Sequence, residues 1–259
     1  MLVIRKVLFL LLCTTVLLYA QFVDDDMDGV ANEDDLCPNS ALTDIVDAKG
    51  CAVDKVVFKK EHHFDVTLGY SYSKLDSNTS QHSQSLSVGY YYGNFSAYLY
   101  TSNYDLQNGE SGTGDSTLAF YYRQIDKQIA FKFGAGVYIP TNDTPDNKTD
   151  TFLSAKVTYY YQKYDYTLNF QHTFMNDFQT VDTDRISVSA GYLISEKAYA
   201  SLTFSTQNSM YQSDDDIDDI SLYGSYYFDK HWFMSGEVSL GLSDSATDFY
   251  YVFNVGYYF

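Results

Sequence analysis

Positive charge is scarce in this chain. Sixteen Lys and Arg stand against 34 Asp and Glu in 259 residues, a formal net charge of −18. Binding to nucleic acid needs clustered cations to neutralise phosphates, and no basic patch occurs anywhere, so that class of partner is excluded. Proline and tryptophan are rare too, with 3 copies and 1 copy. No segment sustains a helical period, so a helical bundle is excluded as well. The only long apolar run is at the N-terminus and stops at Ala20. What the chain has in excess is aromatic: 27 tyrosines and 18 phenylalanines.

The first residues read MLVIRKVLFLLLCTTVLLYA. Arg5 and Lys6 form a positive start, and Val7 to Tyr19 an apolar stretch shorter than the ~20 residues a bilayer span needs. The expectation is a signal peptide over residues 1–20, with a retained membrane anchor as the alternative. Its removal leaves Cys37 and Cys51. An even pair in an exported chain points to a disulfide, closing a loop of about 15 residues worth roughly 3 kcal/mol in the chain-entropy picture. Such a bond persists in an oxidising compartment.

Asp24 to Pro38 read DDDMDGVANEDDLCP. Counted from Asp24, oxygen donors fall at loop positions one, three, five, nine and twelve: Asp24, Asp26, Asp28, Asn32 and Asp35. Gly29 takes the sharp-turn position, and Val30 would offer its carbonyl. This is EF-hand-type spacing, and a hard cation taking six to eight oxygens is what relieves such crowding of carboxylates. The alternative is a solvated acidic linker. With the following DDLCPNSALTDIVDAKGC, the segment resembles a thrombospondin type 3 repeat, whose second half ends as Val46, Asp47, Gly50 and Cys51 do here. The resemblance spans about thirty residues. It departs at Asn32, where an Asp is usual, and lacks the common proline and glycine between the halves. It implies bound Ca2+ and a Cys37–Cys51 bridge over residues 21–54, with a linker at 55–61.

From residue 62 to 259 the pattern is strict alternation. HFDVTLGYSYSK sets Phe64, Val66, Leu68, Tyr70 and Tyr72 against Asp65, Thr67, Gly69, Ser71 and Ser73. SLSVGYYYG, IAFKFGAGVYIP, FLSAKVTYYYQ and the later segments repeat it, and period two is the strand signal. About twelve strands are expected, many near the ten residues of a tilted membrane strand. Tight links such as Gly93–Asn94 alternate with longer polar loops such as QNGESGTGD, NDTPDNKTD and QSDDDIDD. Tyrosines cluster at strand ends, where the aromatic girdles of a membrane barrel lie. The last strand steps back by twos from Phe259 through Tyr257, Val255, Phe253 and Tyr251. It resembles the C-terminal signature of bacterial outer-membrane proteins, which implies recognition by the barrel assembly machinery. The expected fold is an all-β antiparallel transmembrane barrel in outer-membrane lipid, with the repeat in the periplasm.

If the apolar face meets lipid, the other lines a lumen holding Asp65, Arg123, Lys132, Lys156 and Glu237, with Tyr91, Tyr98, Tyr121, Tyr160, Tyr223 and Tyr227. Three functions follow. The first is a narrow porin-like channel for passive diffusion, with aspartates 214, 215, 216, 218 and 219 in an outer loop favouring cations. The second is a structural or adhesive barrel, plugged by an internal ion-pair network and joined to a periplasmic or cell-wall partner. The third is a lipid hydrolase. For that one, His82–Ser83 is adjacent and so on opposite faces, and His172 has no serine two positions on, so no local motif arranges a nucleophile and its base. The expectation is therefore a non-enzyme.

Overall fold

The computed structural model describes residues 35–37, 49, 62–75, 79–141, 148–176, 180–211 and 214–259. The chain divides into two units, Met1–Phe58 and Lys59–Phe259. In the first, Leu36 N–H donates to the Lys49 carbonyl at 2.9 Å, and Cys37 N–H donates to Asp35 Oδ1 at 2.8 Å. The other calcium-loop positions, Asp24, Asp26, Asp28, Val30 and Asn32, and Cys51 with them, lie outside the described residues.

The described residues of the second unit form thirteen strands: β1 His62–Lys74, β2 Ser80–Tyr92, β3 Phe95–Leu106, β4 Ser111–Thr113, β5 Ser116–Asp126, β6 Ile129–Ile139, β7 Asp150–Tyr161, β8 Tyr164–Phe174, β9 Thr183–Ser195, β10 Ala198–Gln207, β11 Ile217–Tyr227, β12 Trp232–Gly241 and β13 Phe249–Tyr258. Each long strand pairs antiparallel with its sequence neighbour, and β1 pairs with both β2 and β13, closing a ring of twelve. Closure removes both sheet edges, so every wall strand finds ladder partners on both sides. The extra strand β4 belongs to no wall. It folds back on β3 inside the expected long loop, pairing Ser111 with Asp105.

Links alternate in length as expected. Gly93–Asn94, Lys127–Gln128, Gln162–Lys163 and Glu196–Lys197 are two-residue turns at one end, joined there by Phe228–His231. The β2–β3 turn takes left-handed backbone at Gly93, φ 58°, at no steric cost; Lys127 and Gln162 adopt the same region at φ 52° and 53° despite carrying a Cβ.

Alternation decides what each face meets. Leu68 is 64% exposed, and Leu86, Leu99, Phe120, Phe133, Leu153, Leu168, Leu202, Leu222 and Val238 are also exposed, circling the outside at mid-strand. Only Ala119, Ala130, Phe152 and Ala246 form a buried apolar set among the described residues. The molecule is therefore apolar outside and polar within, the reverse of a water-soluble sandwich. Aromatic and histidine rings flank the belt. Tyr90, Tyr92, Phe95, Tyr122, Tyr164, Tyr192, Trp232 and Tyr257 lie at the short-turn end, and Tyr70, Tyr72, His82 and Tyr251 at the other.

Candidate functional site in the barrel lumen

The inward face begins with the ladder between β5, β6 and β7. Arg123 stands directly opposite Lys132, and Lys132 directly opposite Lys156. All three share the parity of the polar face, so register alone brings three cations side by side inside the barrel. Like charges opposite one another destabilise a sheet. No carboxylate comes within 4 Å of any of the three among the described residues. Asp165 on β8 is the nearest acidic influence on Lys156, and its Oδ1 instead accepts the Tyr199 hydroxyl at 3.2 Å.

Aromatic rings and a phenol hold the cations in place of acids. Lys132 Nζ lies 4.0 Å from the centre of the Tyr121 ring and 5.4 Å from that of Tyr98. An ammonium over a ring face gains about 0.5–2 kcal/mol, more as water is withdrawn. Arg123 Nη2 donates to the Tyr160 hydroxyl at 3.0 Å. Tyr121 reaches this position because Gly134, its neighbour across the ladder, has no side chain; a Cβ there would strike the ring.

Acidic groups stand elsewhere on the ring. Asp65 on β1 is 5% exposed; Thr67 Oγ1 reaches its Oδ1 at a long 3.5 Å, and its Oδ2 has no hydrogen-bond partner. Glu237 on β12 makes no hydrogen bond or ion pair with any described residue. Near the long-loop end the charges are matched: Arg185 Nη2 donates to Asp219 Oδ2 at 3.3 Å and to Ser205 Oγ at 2.9 Å, and Ser205 donates on to Asp219 at 2.6 Å.

All five lumenal charges expected from the sequence thus face inward, as do the six tyrosines. The interior ion-pair network does not form among them. Among the described residues, the charged network that does form uses Arg185 and Asp219, which the sequence reading left out of the lumen. Their parity along ISVSAGYL and DDISLYG was the available signal. Asp218 and Asp219 also leave the acidic outer loop, because β11 already starts at Ile217. Only Asp214, Asp215 and Asp216 remain in that loop.

The lumen is not filled. Tyr100, inward on β3, is 41% exposed, and the inward-facing Arg123, Lys156, Tyr160 and Tyr227 are exposed as well. Large rings line the short-turn mouth, where Phe233 packs on Tyr258 at 4.9 Å and Tyr91 on Tyr98 at 5.5 Å. Beside them, His63, Tyr91, Lys230, His231, Tyr258 and Phe259 line a cavity of about 510 Å³.

No family model and no curated relative matches the chain in sequence. Solved structures do match in shape. An outer membrane channel from Pseudomonas putida F1 aligns over 80% of this chain and 100% of its own, at 11% identity and a TM-score of 0.60. The fold is that of an outer-membrane channel. The NanC porin aligns over 75% of this chain and 98% of its own at 11% identity, TM-score 0.56, and the KdgM porin over 74% and 98% at 12%, TM-score 0.53. The twelve strands of this barrel lie between the eight that side chains fill and the sixteen that hold open water.

Outside the barrel, the structure adds a pairing that sequence spacing hid. His172 is directly opposite Asp184 on β9. Its Nδ1 lies 2.7 Å from Asp184 Oδ1 and its Nε2 3.7 Å from Asp182 Oδ2. The ring nitrogens meet these two carboxylates and no hydroxyl among the described residues, so no nucleophile is placed beside this base. His82 Nδ1 is bonded to the Tyr70 phenol at 2.6 Å.

Proposed function

We propose that this protein is a narrow channel for passive diffusion of small solutes across the bacterial outer membrane. The observation that carries the reading is the accessible lumen: inward side chains in mid-barrel remain open to solvent while their charges go unpaired. An interior meant only for stability would close over its ions, because isolated buried charges cost several kcal/mol each. The exposed belt between two aromatic girdles supports a membrane setting, where open sheet edges and lipid-facing polar backbone are not tolerated. On this reading the short turns and both barrel termini face the periplasm, and Tyr251, Phe253, Val255, Tyr257 and Phe259 serve as the assembly signal.

The cation preference rests now on Asp214, Asp215 and Asp216 at the outer mouth, where a cluster of one sign raises the local concentration of counter-ions. The periplasmic arm is the second part of the reading. Ca2+ held by Asp24, Asp26, Asp28, Val30, Asn32 and Asp35, with a Cys37–Cys51 bridge, would fix a segment too small to bury a core of its own. The Leu36–Lys49 backbone bond supports this by joining the two halves of the repeat.

Planar-bilayer recording on the purified, refolded chain tests the channel. Discrete current steps are expected; a membrane that stays silent at saturating protein would remove the proposal.

A further inference from the structure

Apart from Asp165 on β8, whose carboxylate accepts the Tyr199 hydroxyl, the unpaired charges of the mid-lumen are separated by sign. Arg123, Lys132 and Lys156 occupy three consecutive strands, β5 to β7. Glu237 sits on β12, and β6 and β12 are six places apart in the ring of twelve, which puts them on opposite walls. Depth agrees as well. Counted from the short-turn end, Lys132 is the fourth residue of β6, Lys156 the sixth of β7 and Glu237 the sixth of β12. Asp65, fourth in β1 and two strands from β12, is buried within the wall and does not reach the lumen solvent. Twelve strands at ~4.8 Å spacing and ~40° tilt set opposite backbones roughly 24 Å apart, leaving on the order of 10–15 Å between the Lys and Glu heads.

Such spacing prevents direct pairing yet sustains a field across the solvent-filled gap. The contrast with the long-loop end is informative. There Arg185 and Asp219 lie on near neighbours of the same wall and neutralise each other. At mid-barrel the same residue types are held apart, with Lys132 and Arg123 steadied by phenol rings that do not cancel their charge.

We infer that this level of the lumen is a subsite for small zwitterions, solutes that carry a carboxylate and an ammonium together. The carboxylate turns to Arg123, Lys132 and Lys156, and the ammonium to Glu237. A zwitterion also meets less repulsion than an anion at the Asp214–Asp216 mouth, and less than a cation at the basic wall. The inference rests on the channel reading and names the solute class for it.

The test uses the full refolded chain in liposomes, with permeation of four solutes of similar size: arabinose (neutral), glutamine (zwitterion), glutarate (anion) and 1,5-diaminopentane (cation). Glutamine is expected to pass at least about threefold faster than arabinose, and faster than either ion. The glutamine-to-arabinose ratio should fall toward one in Lys132→Met and, separately, in Glu237→Gln. Should either variant fail to assemble, the wild-type ratio is read at low and at 1 M salt, where a Debye length of ~3 Å screens the field and the ratio should again fall. Equal rates for glutamine and arabinose, or a ratio indifferent to salt, overturn the inference and leave the channel standing. So does glutarate outrunning glutamine, which would make the basic wall an anion site alone. If arabinose itself does not pass and no current steps appear, the channel reading fails and this inference falls with it.

Discussion

Lys132 extends its ammonium over the face of Tyr121, 4.0 Å from the ring centre, and no described carboxylate stands close enough to pair with it. The contact explains how a lysine facing another lysine and near an arginine keeps a fixed place. The ring's negative face stabilises the charge without cancelling it, so the field into the lumen survives. Tyr121 packs in turn edge-on against Tyr98 at 5.6 Å, and Tyr98 against Tyr91, which makes one aromatic row along β2, β3 and β5.

Removing the ring tests that seat. Tyr121→Ala should release Lys132 into the open lumen and lower unfolding stability in detergent by about 1–3 kcal/mol, from lost packing as well as the cation–ring contact. Single-channel current should change together with stability. An unaltered current trace in a correctly assembled variant would show that Lys132 does not line the ion path.

The same seat depends on empty space across the ladder. Gly134→Val places two methyl groups where Tyr121 lies. Displacing the ring should cost about 1–3 kcal/mol, read as an earlier midpoint in urea unfolding. Gly109→Val, at a site with nothing near its Cβ, separates crowding from backbone effects: it acts only through its positive φ of 90°.

The facing of each strand can be checked with one charge moved by one residue. Leu68→Lys sets an ammonium on the outer belt near mid-strand and should cost about 2–4 kcal/mol in a bilayer. Thr67→Lys points the same charge inward, beside the Asp65 carboxylate, and should cost far less. Equal penalties at both positions would reverse the assignment of the faces.

At the short-turn rim, Asp229 accepts backbone N–H bonds from His231 at 2.7 Å and Trp232 at 2.8 Å. These bonds, that from Trp232 first, hold its carboxyl below the ordinary aspartate range. A depressed folded value means the turn's added stability is fully present above the unfolded pKa near ~3.9 and fades as pH falls through the folded one. A carbon-13 titration of the Asp229 carboxyl checks this, and a midpoint at or above the free-aspartate value would refute it.

Calcium should be taken up by the arm and not by the barrel. Calorimetric titration of the full chain is expected to show one site, abolished by joint Asp26→Asn and Asp28→Asn changes. No heat at millimolar metal with wild-type chain would dismiss the calcium loop.

Alternation in HFDVTLGYSYSK and its repeats was sufficient to find the twelve wall strands, because a side-chain period of two needs no partner to be visible. Which residues face inward followed from the same parity, so Asp65, Arg123, Lys132, Lys156 and Glu237 could be assigned to the lumen from the chain alone. Strand ends were harder. Asp218 and Asp219 read as loop because acidic residues dominate there, yet ladder bonds to β10 and β12 carry the strand down through them. The β3–β4 fold-back was hidden in a Gly- and Ser-rich stretch for the same reason: its pairing is made by neighbours, with no apolar face of its own to announce it.

What the sequence determined by itself is the kind of surface each strand presents, since alternating side chains sort by face wherever the strand goes. Only the closed ring decided which charges meet. Register set Arg123, Lys132 and Lys156 shoulder to shoulder and joined Arg185 to Asp219, while ring position carried Glu237 to the far wall. Those relationships depend on strand order and shear, which no single strand encodes.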